Sequence, residues 1–275
     1  MKRTFIKLMS LTAVMTLGFS SAIACQPNPV VKTVTPGKLT IGIYSYPPFT
    51  IISPDGKISG IDTDIVKQAA ADNCLEVEVM SVAPSATIQA VISGKADVAI
   101  GSWNRTEARA KVLGISNPTY LDPMTSISKE GVDTIEGLVG KKVGSVTGYL
   151  WNADLQKLLG ANFKQYQDDV AMAQDLEAGR IDVGLDGYAG PIEAQKAGKY
   201  KALKIKIVKP DQRVQASMKA PQAGVLYTKD NVGLGKAIDA AIERARKEGT
   251  LVRSLNQAGY DGAALTNVGE AWLVK

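Results

Sequence analysis

The chain of 275 residues contains no histidine. That excludes serine–histidine nucleophile pairs and histidine-ligated metal centres. Its two cysteines, Cys25 and Cys74, have structural explanations; no GxxxxGK[ST] phosphate loop is present, and the glycines are scattered at turns. Beyond residue 24 no stretch is apolar for long enough to form a membrane helix. A strong charge of either sign is also missing. Losing Lys2, Arg3 and Lys7 with a cleaved leader would lower the formal net charge from +5 to +2, which gives no reason to expect nucleic acid as a partner. Neither a cofactor nor a metal is expected.

What is present begins with Met1 to Ala24: three cations, an apolar run from Leu8 to Phe19, then small residues up to Ala24. This is the order of a secretory signal peptide, with cleavage expected after Ala24. Cys25 then leaves two readings. Ala22-Ile23-Ala24-Cys25 reads as a permissive lipobox, which would anchor the protein by a lipid. The other reading pairs Cys25 with Cys74, as an oxidising compartment allows. The strands that follow them, Lys38 to Ile43 and Leu75 to Val79, should be parallel neighbours that start at one end of a sheet. The missing leucine three residues before Cys25 favours the disulfide.

Roughly 250 residues with 45% apolar content can bury a large core but reach the upper limit for one domain, so two lobes are expected. Lys38 to Ile43 alternates like a strand, and Tyr44-Ser45-Tyr46-Pro47-Pro48-Phe49 follows as a rigid loop that displays aromatics at its C-terminal end. Asp62 starts a helix, where it and Asp64 read as helix-start acids that cap the helix and favour its dipole. Pro84 to Ile92 is a second helix, leading into the strand Ala96 to Ile100. Downstream the grammar repeats, with the strand Gly140 to Val146, the helices Leu150 to Leu159 and Asp168 to Ala178, and the strand Ile181 to Leu185. Strand–helix alternation indicates parallel sheets. Ser93-Gly94-Lys95-Ala96-Asp97-Val98-Ala99-Ile100-Gly101 and Ala178-Gly179-Arg180-Ile181-Asp182-Val183-Gly184-Leu185-Asp186 are two copies of one helix–turn–strand unit. Ligands of open α/β sheets bind beyond strand C-termini, so the copies should present Gly101-Ser102 and Asp186 to one cleft.

Gly101-Ser102-Trp103-Asn104 reads as an open loop in which a glycine lets backbone amides approach a ligand. Arg109 lies five residues beyond Asn104, and its fork matches a carboxylate bidentately. The competing reading is a surface arginine paired with Glu107. Tyr44, Tyr46, Phe49, Trp103, Tyr149, Trp151 and Tyr188 group at the expected rim, which suits a flat or apolar organic part, or a cation over a ring.

Two motifs make this pattern specific. Thr106-Glu107-Ala108-Arg109 followed by Val112, Ser116, Pro118 and Tyr120, and Gly60-Ile61-Asp62-Thr63-Asp64-Ile65 followed by Ala69, Ala70 and Asn73, resemble bacterial extracellular solute-binding proteins of family 3. The resemblance runs from about Lys38 to about Tyr260. It implies an α/β, periplasmic-binding-protein-like (type II) fold: two α/β lobes joined by a two-strand hinge, with the ligand cleft between them. Lobe 1 would be 38–122 with 226–275, and lobe 2 would be 123–225. The candidate hinges are Tyr120 to Ser126 and Pro221 to Val225.

The function implied is a periplasmic receptor that captures a small amino acid or related carboxylate as a monomer and hands it to the permease of an ABC importer. Arg109 would clamp the carboxylate and Asp186 the ammonium, with Gly101, Ser102, Trp103, Asn104, Tyr44, Tyr46, Phe49, Gly148 and Tyr149 around them. The chain departs from the family at Gly187, where the acid usually falls, at Tyr149 in place of threonine, and at Ile61 in place of an aromatic. A cyclohexadienyl dehydratase on the same fold, with Asp186 or Glu107 as general acid, and a receptor feeding a sensor are the alternatives.

Overall fold

A computed structural model describes Cys25, Asn28 and residues 30–275. The signal-peptide expectation for Met1 to Ala24 lies outside the described residues. In chain order the first half runs β1 (Lys38–Ile43), β2 (Ile51–Ile52), β3 (Ile58–Ser59), α1 (Ile61–Asp72), β4 (Glu76–Ser81), α2 (Pro84–Ile92), β5 (Val98–Asn104), α3 (Glu107–Val112) and β6 (Gly114–Ile115). The middle contains β7 (Thr125–Ser128), β8 (Val143–Val146), α4 (Asn152–Leu159), β9 (Phe163–Tyr166), α5 (Asp169–Glu177), β10 (Val183–Asp186), α6 (Ala189–Lys196), β11 (Lys204–Ile207) and α7 (Gln215–Met218). The last part is β12 (Ala223–Tyr227), α8 (Val232–Lys247), α9 (Thr250–Gln257) and α10 (Gly262–Thr266).

Two five-stranded sheets result, ordered β4-β1-β5-β12-β6 and β11-β7-β10-β8-β9. In the first, β1 lies between β4 and β5 and is parallel to both. Leu39, Ile41 and Ile43 are fully buried on one face of β1, and Thr40 and Gly42 are buried on the other, as befits a strand covered on both sides. In the second sheet β8 and β10 are parallel neighbours, so the strand ends repeat the arrangement of β1 and β5. Helix α1 packs Ile61, Ile65, Val66, Ala69 and Ala70 into the first core, where Leu234, Ile238, Ala241 and Ile242 of α8 meet them.

The chain crosses between the sheets twice, and the two crossings pair with each other. Leu121 bridges Gln222 in antiparallel fashion, the Asp122 amide donates to the Pro221 carbonyl at 2.9 Å, and the Ala223 amide donates to the Tyr120 carbonyl at 2.9 Å. A buried amide holds this ribbon from behind. Gln222 donates to the carbonyls of Val268 and Glu270 and accepts from Arg105 and the Trp272 amide, so the C-terminal tail straps the crossing. β12 starts inside the second crossing, at Ala223, and carries it straight into the first sheet.

Two local expectations change. Gly101 to Asn104 is not an open loop but the last turn of ladder in β5, because β12 runs antiparallel beside it and pairs Ala223 with Asn104 and Gly224 with Trp103. Asp62 does not cap α1. The N-cap position is Gly60, which makes no side-chain cap bond, and the Asp62 carboxylate turns instead toward β5. Cys25 and Cys74 form a disulfide with Cα atoms 5.5 Å apart at the start of the β1–β4 pair, so the Cys25 sulfur is not available to a lipid.

Candidate functional site

β1 and β5 of the first sheet and β8 and β10 of the second end on one small cavity. Its wall consists of Tyr44, Tyr46, Gly101, Ser102, Trp103, Asn104, Arg109, Asp122, Gly148, Tyr149, Leu150, Trp151 and Gly187. The space they leave is small, about 30 Å³.

The floor is set by Asp62. Its carboxylate accepts from the backbone amides of Gly101 (3.2 Å) and Ser102 (2.8 Å) and from the Tyr120 hydroxyl (2.7 Å). The amides expected to meet a ligand are therefore already occupied, and Asp62 is a structural anion that shapes the end of β5. Gly101 makes this turn affordable to the backbone at φ +134°, and a Cβ there would lie 2.3 Å from the Tyr44 ring. Tyr44 in turn donates to the Gly101 carbonyl at 2.6 Å.

Arg109 is placed by α3. Thr106 caps that helix, its hydroxyl accepting from the Arg109 amide at 3.0 Å, which points the arginine back over β5. The guanidinium lies 4.9 Å from the Trp103 ring centroid and donates to the Asn104 carbonyl. It makes no ion pair with Glu107 or with any other carboxylate among the described residues. Burial lowers its pKa to about 10, which still leaves it charged at neutral pH. Beside it, the Trp103 indole N–H and the Asn104 amide oxygen are buried without a hydrogen-bond partner. Unpaired buried polar atoms are costly, and two in one wall mark a place that a polar ligand can complete.

Facing this side is an acid that sequence reasoning missed. Asp122, on the first crossing, accepts from the Tyr188 amide of the second half at 2.9 Å and from Ser102 Oγ at 3.4 Å. Burial pushes its carboxyl up to about 6. It enters the cavity because position 187 is glycine: a Cβ on Gly187 would lie 2.8 Å from both Asp122 carboxylate oxygens and from the Tyr46 hydroxyl. The hinge segment Tyr120 to Ser126, which contains Asp122, is the sequence signal that points to it. Asp186 sits one step behind the wall. Its Oδ1 accepts from the Tyr149 hydroxyl (2.9 Å) and the Gly187 amide (2.7 Å), and burial, with Asp169 second, pushes it up to about 7.

Two other expectations are corrected. Phe49 is not a wall residue; it is 1% exposed and stacks on Tyr120 with centroids 4.3 Å apart, because the Tyr46 ring covers it. Tyr188 turns from the cavity to pack edge-on against Tyr260, whose hydroxyl donates to Glu193 at 2.8 Å and so ties α6 to the first half. Gly101, Ser102, Trp103, Asn104, Arg109, Tyr44, Tyr46, Gly148 and Tyr149 do converge, joined by Trp151, whose indole donates to Ser145.

Residues 39–258 match the family described as bacterial extracellular solute-binding proteins, family 3. The chain is 28% identical over 224 residues to the L-cystine-binding protein TcyJ of Escherichia coli (strain K12), covering 78% of this chain and 80% of that protein. It is 24% identical to the glutamate-binding protein GluB of Corynebacterium efficiens, over 93% and 92% of the two chains. The arginine-bound crystal structure of the substrate-binding protein AbpA from Streptococcus pneumoniae superposes with a TM-score of 0.70 at 23% identity, over 85% of this chain and 97% of that one. At that identity the likeness concerns the fold, a type II periplasmic binding-protein architecture.

Proposed function

The chain belongs to the bacterial extracellular solute-binding proteins, family 3, and on that premise we propose that it captures an α-amino acid in the periplasm and delivers it to the permease of an ABC importer. The observation that carries the reading is Arg109: a half-buried cation on the cavity wall with no carboxylate partner among the described residues, beside two unpaired polar atoms. A ligand carboxylate satisfies it. Asp122, across the cavity, takes the α-ammonium, a role expected of Asp186 on sequence grounds.

Capture requires the cavity to open. Residues up to the first crossing, with β12 and everything after it, form one body and the chain between the crossings the other, and they part by bending at the paired crossings around Leu121 and Gln222. Ligand contacts made with both sides then favour the closed form, as differential affinity requires. One chain completes the cavity, so the receptor acts as a monomer, and it binds and releases its ligand without converting it.

Isothermal titration of the mature protein, stripped of co-purified ligand, tests the reading with a panel of α-amino acids. Removing one partner of a buried charge pair costs about 2–5 kcal/mol. Arg109→Ala should therefore weaken the best ligand by at least thirtyfold, and Arg109→Lys, which retains charge but loses the fork, should fall between. Unchanged affinity in Arg109→Ala overturns the assignment. Product formation from a saturating ligand would move the protein to enzymes on this fold.

A further inference from the structure

The charges around the cavity exceed what a simple zwitterion needs. Among its lining residues Arg109 is the only cation. A ligand carboxylate uses Arg109 and an α-ammonium uses Asp122, while Asp62 is satisfied by three donors. Asp186 is left over. Its partners are two dipoles, Tyr149 and Gly187, and the charged groups that act on it, Asp169 of α5 and Asp122 of the crossing, are both acids.

The wall in front of Asp186 suits a cation. Tyr149 spends its hydroxyl proton on Asp186, so its oxygen lone pairs remain as acceptors, with a carboxylate behind them. Tyr149 and Trp151 pack edge to face at 5.2 Å, and Tyr44, Tyr46 and Trp103 complete an aromatic lining. Aromatic faces attract cations, as Arg109 over Trp103 already shows in this cavity.

We propose that the ligand is a cationic amino acid, with its carboxylate at Arg109, its α-ammonium at Asp122 and its side-chain cation at the Tyr149–Asp186 pair. The first two contacts rest on the receptor reading above. The third is independent of it.

The test is isothermal titration at pH 7.5 of ligand-stripped mature protein with L-arginine, L-lysine, L-citrulline, L-glutamine and putrescine. Citrulline has nearly the shape of arginine without its charge. Arginine or lysine should bind at least tenfold more tightly than citrulline and glutamine. Asp186→Asn retains an acceptor for Tyr149 and the Gly187 amide, so its melting temperature should show an intact fold; the ratio of arginine to citrulline affinity should fall toward one. Tyr149→Phe, which removes the oxygen and keeps the ring, should lower the same ratio. Citrulline or glutamine binding as tightly as arginine, or a ratio unmoved in both variants, overturns the inference and leaves the receptor reading standing. Putrescine binding as tightly as lysine would retain the cation site and overturn the carboxylate clamp instead.

Discussion

At Gly187 a missing side chain decides which acid reaches the cavity. A Cβ there would crowd the Asp122 carboxylate and the Tyr46 hydroxyl, which come from the crossing and from the first sheet. Gly187→Ala is thus expected to prop the two sides apart. Overpacking of this kind costs about 1–3 kcal/mol, so titration should show ligand affinity weakened roughly tenfold or more; affinity equal to wild type would mean that the two sides do not close as seen here. Asp62 is a different case, since its burial and its three donors make it structural. Asp62→Ala leaves the amides of Gly101 and Ser102 unpaired at a buried turn and should cost about 2–4 kcal/mol of unfolding free energy by urea denaturation.

Among the elements, α3 is short, only six residues, and carries the arginine. So short a helix depends on its cap. Thr106→Ala should cost about 1 kcal/mol of stability, with a further loss of ligand affinity because the cap bond goes to the Arg109 amide itself. A stability loss with no change in Kd would separate the cap from the clamp. The Cys25–Cys74 disulfide secures another element pair, the start of β1 beside β4, across a sequence separation of 49 residues. Loop entropy alone assigns such a link about 4 kcal/mol. Reduction should lower the melting temperature by several degrees in calorimetry while leaving the cavity, at the opposite ends of these strands, able to bind.

For the whole molecule, three buried acids set the pH response. Asp62 and Asp122 are pushed up to about 6 and Asp186 to about 7, in each case chiefly by burial. Folded values above the ordinary 3.8 mean that the protonated forms favour the fold, so this stability is complete below the unfolded value and is lost as pH rises through 6 to 7. The groups facing them are polar donors, tyrosines and other acids, with Asp169 adding to the pressure on Asp186 and Asp62 to that on Asp122. Half-buried Asp133, Asp175 and Asp211 act in the opposite sense. Lysine and arginine partners hold them below the usual range, and their support is lost as pH falls through those lowered values. The ligand-free protein should therefore melt several degrees higher at pH 5 than at pH 8, and Asp122→Asn or Asp186→Asn should flatten the slope. Melting temperatures that rise steadily from pH 5 to 8 would contradict the buried charges.

Local chemistry determined much of this in advance: Pro84 to Ile92 as a helix, a helix beginning around Asp168, the parallel pairing of β1 with β4, and the convergence of Arg109 with Gly101 to Asn104. Periodicity, capping and turn residues act over a few positions, so they can be read from the chain. Three things could not. β12 lies more than a hundred residues from the strand it extends, and only its ladder turned Gly101 to Asn104 from loop into strand. Asp62 looked like a helix cap because its real partners, Gly101, Ser102 and Tyr120, are distant in sequence. Asp122 replaced Asp186 at the cavity because the space over Gly187 is defined by two crossings and two sheets at once. Which buried carboxylate meets a ligand depends on which one the closed packing leaves facing the cavity, and that is a property of the assembled fold.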